Sequence, residues 1–308
     1  MKWYAIIMVA VLLCACNRNQ SGGAVGGDID PSLLNERLAF AEVERLLEIQ
    51  NRDSGTGAEK AARHILNRLQ ELGVSAEIDT FKDATPKGEM EFHNVVARIS
   101  GKGEGIIILG SHFDTKSGIE GGFQGANDSG SSTGLLIELA RVLNKSAELR
   151  SEVRIVFFDG EECMDNYGPH DGLHGSRHYA EKLVKEGLTD HVEAVIILDM
   201  IGDRNLDISF PRNSSSSLMT IAFKCAEDEG VRRVFGLHTA NILDDHVPFR
   251  KAGMPVIDFI DFNFGSRPRI NDYWHTPADT IDKITPQSLG VTGRVVLRMI
   301  NCIAENEK

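Results

Sequence analysis

Apolar positions follow two rhythms along this chain, helical spacing in some stretches and short unbroken runs in others, and together they predict most of its elements. Ser32 to Gln50 carries Leu33, Leu34, Leu38, Val43, Leu46, Leu47 and Ile49 close to helical spacing behind Pro31, so it predicts an amphipathic helix. Asn51 to Gly57 (NRDSGTG) predicts a turn, and Ala58 to Leu72 a second helix closed by Gly73. Val74 to Phe81 and Phe92 to Ile99 alternate as strands around the turn at Pro86 to Gly88. From there strand and helix alternate. Strands are predicted at Ile106–Gly110, Val153–Phe158, Ala194–Asp199 and Pro255–Ile260, and helices at Ser131–Leu143, Ser176–Glu186, Ser214–Glu229 and Pro286–Ala304. Unbroken apolar strands between helices predict an α/β protein, a three-layer α/β/α sandwich around a mostly parallel mixed sheet covered on both faces. The sequence shows no internal repeat and no second domain.

Composition narrows this picture only a little. With 308 residues, 42% apolar and 25% charged, the chain can bury a full core as one domain. A net charge of -12 argues against nucleic acid and anionic lipid surfaces, which reward clustered Lys and Arg. Nothing in the pattern implies an oligomer.

The N-terminus changes the picture more. Met1 to Cys16 (MKWYAIIMVAVLLCAC) has a short basic start and an apolar run too short to span a bilayer, so it predicts a secretory signal. Its end, Leu13-Cys14-Ala15-Cys16, resembles the bacterial lipobox, which implies lipid on Cys16, export, and a periplasm-facing anchor at the cell envelope. The expected division is a signal at 1–16, a polar Gly-rich tether at 17–32 and one catalytic domain at 33–308. Cys163, Cys225 and Cys302 remain. They allow at most one bridge, and spacing does not choose the pair.

The candidate chemistry lies where strands end. VRIVFFDGEE carries Glu161 and Glu162 past a buried strand, so one carboxylate can bind a metal while the other moves protons. His112 and Asp114 follow one strand, Asp199 ends another, Asp128 precedes a helix in GANDSGSSTG, and His275 sits in YWHTPADT. Parallel strands gather their C-terminal ends at one edge, the usual place for sites in open α/β sheets. Taken singly, a histidine here could be structural and an aspartate could cap a helix or form a turn. Their joint placement points instead to a shared metal site. With no CxxC pair, carboxylates plus imidazole make a zinc-type ligand set.

These motifs, in order and over roughly Leu33 to the C-terminus, resemble the zinc aminopeptidase and glutaminyl cyclase superfamily. The resemblance implies a zinc exopeptidase-like fold, one zinc on Asp128, Glu162 and His275, and Glu161 as general base and acid. Several stretches resemble the cyclase branch: Pro169 to His178 in the segment after the paired glutamates, Asp244-Asp245-His246-Val247-Pro248-Phe249, and Trp274 before His275. This implies cyclisation of N-terminal glutamine on peptides or proteins, with Asp199 and Asp244 also catalytic. Trp274, Tyr167 and Asp258 would bind substrate. Tyr167 stands where animal cyclases carry tryptophan, and Asp258 where they carry histidine. If Asp244 meets Asp199 with no cation between them, the two should share a proton. The alternative is a two-zinc aminopeptidase, with His112 and Asp199 joining bridging Asp128 at a second ion. The loop Phe259 to Tyr273 is longer than in animal cyclases, and in it Phe262, Phe264 and Tyr273 could form a lid or pack on the body.

Overall fold

The computed structural model describes residues 28–305 except 54 and 147. The expected leader, Cys16 and most of the tether lie outside the described residues. The tether expectation is corrected at its C-terminal end. Ile29 is buried, donating its N–H to Asn301 Oδ1 and accepting the Asn301 side-chain amide at its carbonyl. An apolar residue placed beside the body gains more from burial than from a solvated linker.

Helix α1 (Glu36–Leu47) begins later than the apolar pattern suggests, because Asn35 caps it by accepting from the Arg37 and Leu38 N–H groups. After α2 (Thr56–Glu71) comes a hairpin of β1 (Ser75–Thr85) and β2 (Gly88–Ile99), closed where Thr85 pairs with Gly88. Both strands are longer than predicted. Their outer parts have little core to face, so apolar alternation is missing there.

The rest runs β3 (Ile106–His112), α3 (Ser132–Lys145), β4 (Glu152–Phe158), α4 (His174–Lys185), β5 (Val192–Asp199), β6 (Ile208–Phe210), α5 (Ser216–Asp228), β7 (Phe235–Leu237), α6 (His246–Lys251), β8 (Val256–Ile260) and α7 (Pro286–Glu305). Three of these, β6, β7 and α6, were not expected. At three to six residues they are too short to show a period.

One eight-stranded sheet takes the order β1-β2-β4-β3-β5-β8-β6-β7. The centre, β4-β3-β5-β8, is parallel, and antiparallel pairs flank it. Strand alternation splits the core into two layers. Ile107, Leu109, Ile155 and Phe157 face α1, α2, α3, α5 and α7, while Ile106, Ile108, Val156 and Phe158 face α4 and α6. The three-layer α/β/α expectation holds. Because the four central strands are parallel, His112, Phe158, Asp199 and Ile260 end at one edge.

The structure also chooses among the cysteines. The Cys225 and Cys302 sulfurs lie 3.7 Å apart between α5 and α7, and Cys163 is buried elsewhere. That separation is within about 1.7 Å of a disulfide bond length. Mild oxidation of the folded protein is therefore expected to consume these two thiols and spare Cys163, read by thiol alkylation and peptide mass mapping. Alkylation of Cys225 and Cys302 after oxidation would contradict this.

Candidate metal and catalytic site

The central strands deliver their carboxylates through tightly held turns. Beyond β4 the chain reverses at Gly160, whose φ of +73° suits glycine and where a Cβ would lie 2.5 Å from the Phe92 ring. The next two residues are then fixed by Asp114. Its Oδ1 accepts the Glu161 N–H and its Oδ2 the Glu162 N–H, each at 3.1 Å. Asp114 thus positions both glutamates, a more definite place than its sequence neighbourhood revealed.

Asp128 is held from three sides. Asp279 accepts the N–H groups of Asn127 (2.8 Å) and Asp128 (3.1 Å), and Asn127 Oδ1 accepts the Gly202 N–H beyond β5. Beneath lies Arg52, buried and donating to the carbonyls of Phe113, Gln124 and Gly125. Burial lowers the Arg52 guanidinium to about 10, opposed by Asp279, Asp114 and Asp128, so it remains cationic at neutral pH. Sequence reasoning missed Arg52, Asn127 and Asp279. Asp279 had a signal, a second carboxylate four residues after His275. Arg52, inside an ordinary turn, had none.

Asp128, Glu162 and His275 come together. His275 Nε2 lies 2.8 Å from Glu162 Oε1 and 3.2 Å from Asp128 Oδ2, and one ligand atom from each residue falls within 4.8 Å of the others. Ligand atoms at 2.0–2.1 Å around a tetrahedral cation stand about 3.3 Å apart, close to these values. Asp128 Oδ2 and Glu162 Oε2 are buried and make no hydrogen bond, with the His275 ring 3.2 Å from the first and the Lys116 ammonium 3.6 Å from the second. Buried carboxylate oxygens in that state need a cation or a proton, so the trio fits a divalent ion.

A second cluster shares Asp128. His112 Nε2 is 3.2 Å from Asp128 Oδ1 and 3.5 Å from Asp199 Oδ1, and His112 Nδ1 is 3.4 Å from Asp114 Oδ1. Burial opposes charge on His112, yet Asp114, Asp128 and Asp199 outweigh it and hold the imidazole well above its ordinary value.

Glu161 points into a cavity of about 270 Å³ lined by Asp128, Glu162, Tyr167, Asp199, Asp244 and Trp274, among others. Tyr167 does more than form a wall. Its hydroxyl donates to Glu161, 3.0 Å from Oε1 and 3.2 Å from Oε2. Burial and the nearby Glu161 charge push the phenol far up, so it remains a donor. Burial, then the neighbouring Glu162 charge, hold the Glu161 carboxyl well above the usual range. Trp274 stacks on His275 at 4.1 Å and meets Phe262 edge-on at 5.8 Å. Of the long loop, Phe264 is fully buried against Tyr273, and Phe262 lines the cavity. The loop packs on the body.

Asp244 lines the cavity with Asp199, and burial, then Asp258 and Asp199, raise it well above the carboxylate range. Asp258, expected at the substrate, requires a correction. It is fully buried within β8, one layer behind the cavity surface, because its strand position faces the core beside α6. Its Oδ2 lies 3.3 Å from His246 Nδ1. The Asn213 amide reaches His246 Nε2 at 2.6 Å while also donating to the Ile242 carbonyl. His246 Nε2 therefore accepts, and its proton sits on Nδ1, toward Asp258.

Comparisons with known proteins place the chain in a family. The model for Peptidase family M28 matches residues 94–300. A Drosophila melanogaster glutaminyl-peptide cyclotransferase is 29% identical over 297 residues, covering 87% of this chain and 82% of that protein. The crystal structure of an Acidobacteriales bacterium glutaminyl cyclase aligns with TM-score 0.84 and 33% identity over 93% of this chain and 99% of that one. A Zn-dependent exopeptidase from Parabacteroides distasonis shares the fold, with TM-score 0.76 at 23% identity over 90% of this chain and 99% of that one. Like its relatives this chain is an enzyme, and it belongs to peptidase family M28, within the glutaminyl-peptide cyclotransferase group.

Proposed function

We propose that this enzyme is a zinc-dependent glutaminyl cyclase, converting the N-terminal glutamine of exported peptides or proteins to pyroglutamate with release of ammonia. The observation that carries the reading is Glu161, held by a neutral phenol beside the Asp128–Glu162–His275 trio in a cavity of about 270 Å³. Carboxylates and one imidazole are zinc ligands in a cysteine-free site. One zinc per chain on that trio is part of the proposal, as are export and lipid anchoring through Cys16. Bound zinc supplies Lewis-acid polarisation of a carbonyl and balances developing oxyanion charge.

The residues of the chain do the rest. Trp274 and Phe262 hold the glutamine side chain and exclude water. The α-amine nitrogen bonds to the γ-carboxamide carbon while the bond to the amide nitrogen breaks. Glu161 takes a proton from the amine and delivers it to the departing nitrogen, which leaves as ammonia. Tyr167 keeps the Glu161 carboxylate aimed between the two nitrogens. Asp199 and Asp244 face the same space and accept from the amine, with Asp258 and His246 bracing them from behind.

Two experiments test this. Incubation with a glutamine-initiated peptide is expected to give the same peptide less one ammonia, read by mass. Chelator dialysis is expected to abolish the reaction, and about one zinc per chain to restore it. The His112–Asp128–Asp199 cluster favours one other reading, a two-zinc aminopeptidase. Release of free glutamine, with two zinc ions needed, would establish that instead. A smaller effect belongs to Tyr167→Phe, which removes one hydrogen bond to a charged group. It is expected to lower kcat about tenfold with little change in KM, and an unchanged kcat would show that Glu161 needs no such support.

A further inference from the structure

A second, larger concavity opens beside the catalytic cavity. It holds about 720 Å³ against about 270 Å³. It runs between α4 and α6, with Ala180, Val184, Pro248 and Ala252 among its lining, and Tyr167 and Leu243 line both spaces. Among the described residues, six large apolar side chains are exposed, and three of them, Tyr167, Val184 and Leu243, are here. Single exposed apolar residues need no explanation, but a gathered set beside a reaction cavity points to a ligand.

The chemistry of the proposed reaction says which ligand. Cyclisation consumes the α-amine and the side chain of the first residue, so both must point inward. The α-carbonyl and everything attached to it must leave through the mouth, and Tyr167 and Leu243 are the residues that cavity and groove share. On this basis, which rests on the cyclase reading, we infer that the groove binds the substrate chain beyond its glutamine and selects for apolar side chains there.

Geometry sets the register. The α4 face from Arg177 to Lys185 spans eight steps, about 12 Å at the helical rise, or three to four residues of extended peptide. The second residue sits at the shared wall, and the third to fifth lie along Ala180, Val184 and Ala252. Lys185 and Lys251 stand among the groove residues, and Lys251 has no ion-pair partner among the described residues. Asp171, Arg177 and Glu181 line the groove as well, so its charge is mixed and the selection rests on its apolar residues.

The test compares kcat/KM for two pentapeptides, Gln-Gly-Leu-Phe-Leu and Gln-Gly-Ser-Ser-Ser, and for the dipeptide Gln-Gly, on the wild-type enzyme and on Val184→Asp. Val184 is 52% exposed on its helix, so the substitution leaves the core intact. The apolar pentapeptide is expected to exceed the serine one about tenfold, the scale of partial burial of an apolar side chain. In Val184→Asp that ratio is expected to fall to about two or below. Equal values for both pentapeptides in the wild type, or a ratio unchanged in Val184→Asp, would overturn the groove while leaving cyclisation standing. Failure to cyclise any of the three, Gln-Gly included, would overturn the cyclase reading and the groove with it.

Discussion

Glu161→Gln is expected to lower kcat for cyclisation by about 10²–10⁴, the usual range for a positioned acid–base group, while metal content stays at the wild-type level. The substitution preserves volume and leaves an oxygen to accept from Tyr167, so the wall of the cavity stays in place. The ligand trio is not touched, because Glu162 is held independently through its own N–H to Asp114. What is lost is the ability to take a proton from the amine and return it to the leaving nitrogen. Turnover within tenfold of wild type would remove Glu161 from the mechanism. A fall in bound metal to match the fall in rate would place the lesion in the ligand set instead.

Arg52→Met is expected to destabilise the fold by about 3–5 kcal/mol, the scale for removing one partner of a buried charge cluster. Two losses combine. Three carbonyls, of Phe113, Gln124 and Gly125, lose their donor, and the buried carboxylates of Asp114, Asp128 and Asp279 lose a cation beneath them. Those carbonyls belong to the segments that carry Asp114 and Asp128, so metal affinity should fall with stability. Urea unfolding checks the first effect through its midpoint, and metal titration checks the second. Arg52→Lys retains the charge but not a fork that reaches three acceptors, and is expected to recover only part of the loss. Wild-type stability in Arg52→Met would show that the loops are held by their own turns.

Much of the fold was legible in the chain because central parallel strands are buried on both faces. Ile106 to Leu109 and Ala194 to Leu198 read as apolar runs, and the helices between them carry one apolar stripe. Legibility failed where burial is one-sided or the element is short. The outer ends of the hairpin strands, the three-residue β6 and β7 and the six-residue α6 leave no period to detect. The same limit explains Asp258. Its residue type suggested a polar contact, but whether a strand position faces a cavity or the layer behind it depends on the neighbouring elements, here α6 and His246.

Local order in the sequence determined which residue types stand at the strand ends: Glu161 and Glu162 after β4, Asp199 ending β5, Asp128 before α3 and His275 after the long loop. Only the tertiary structure decided their company. Asp114 holds the two glutamates, Asp279 and Arg52 hold Asp128, Tyr167 donates to Glu161, and Tyr167 and Leu243 line both the α4–α6 groove and the cavity. The physical reason is one of range. Periodicity and turn chemistry act over a few residues, whereas these contacts join positions 47 (Asp114 and Glu161), 61 (Arg52 and Phe113) and 151 (Asp128 and Asp279) residues apart, which meet only once the parallel sheet has brought its strand ends to one edge.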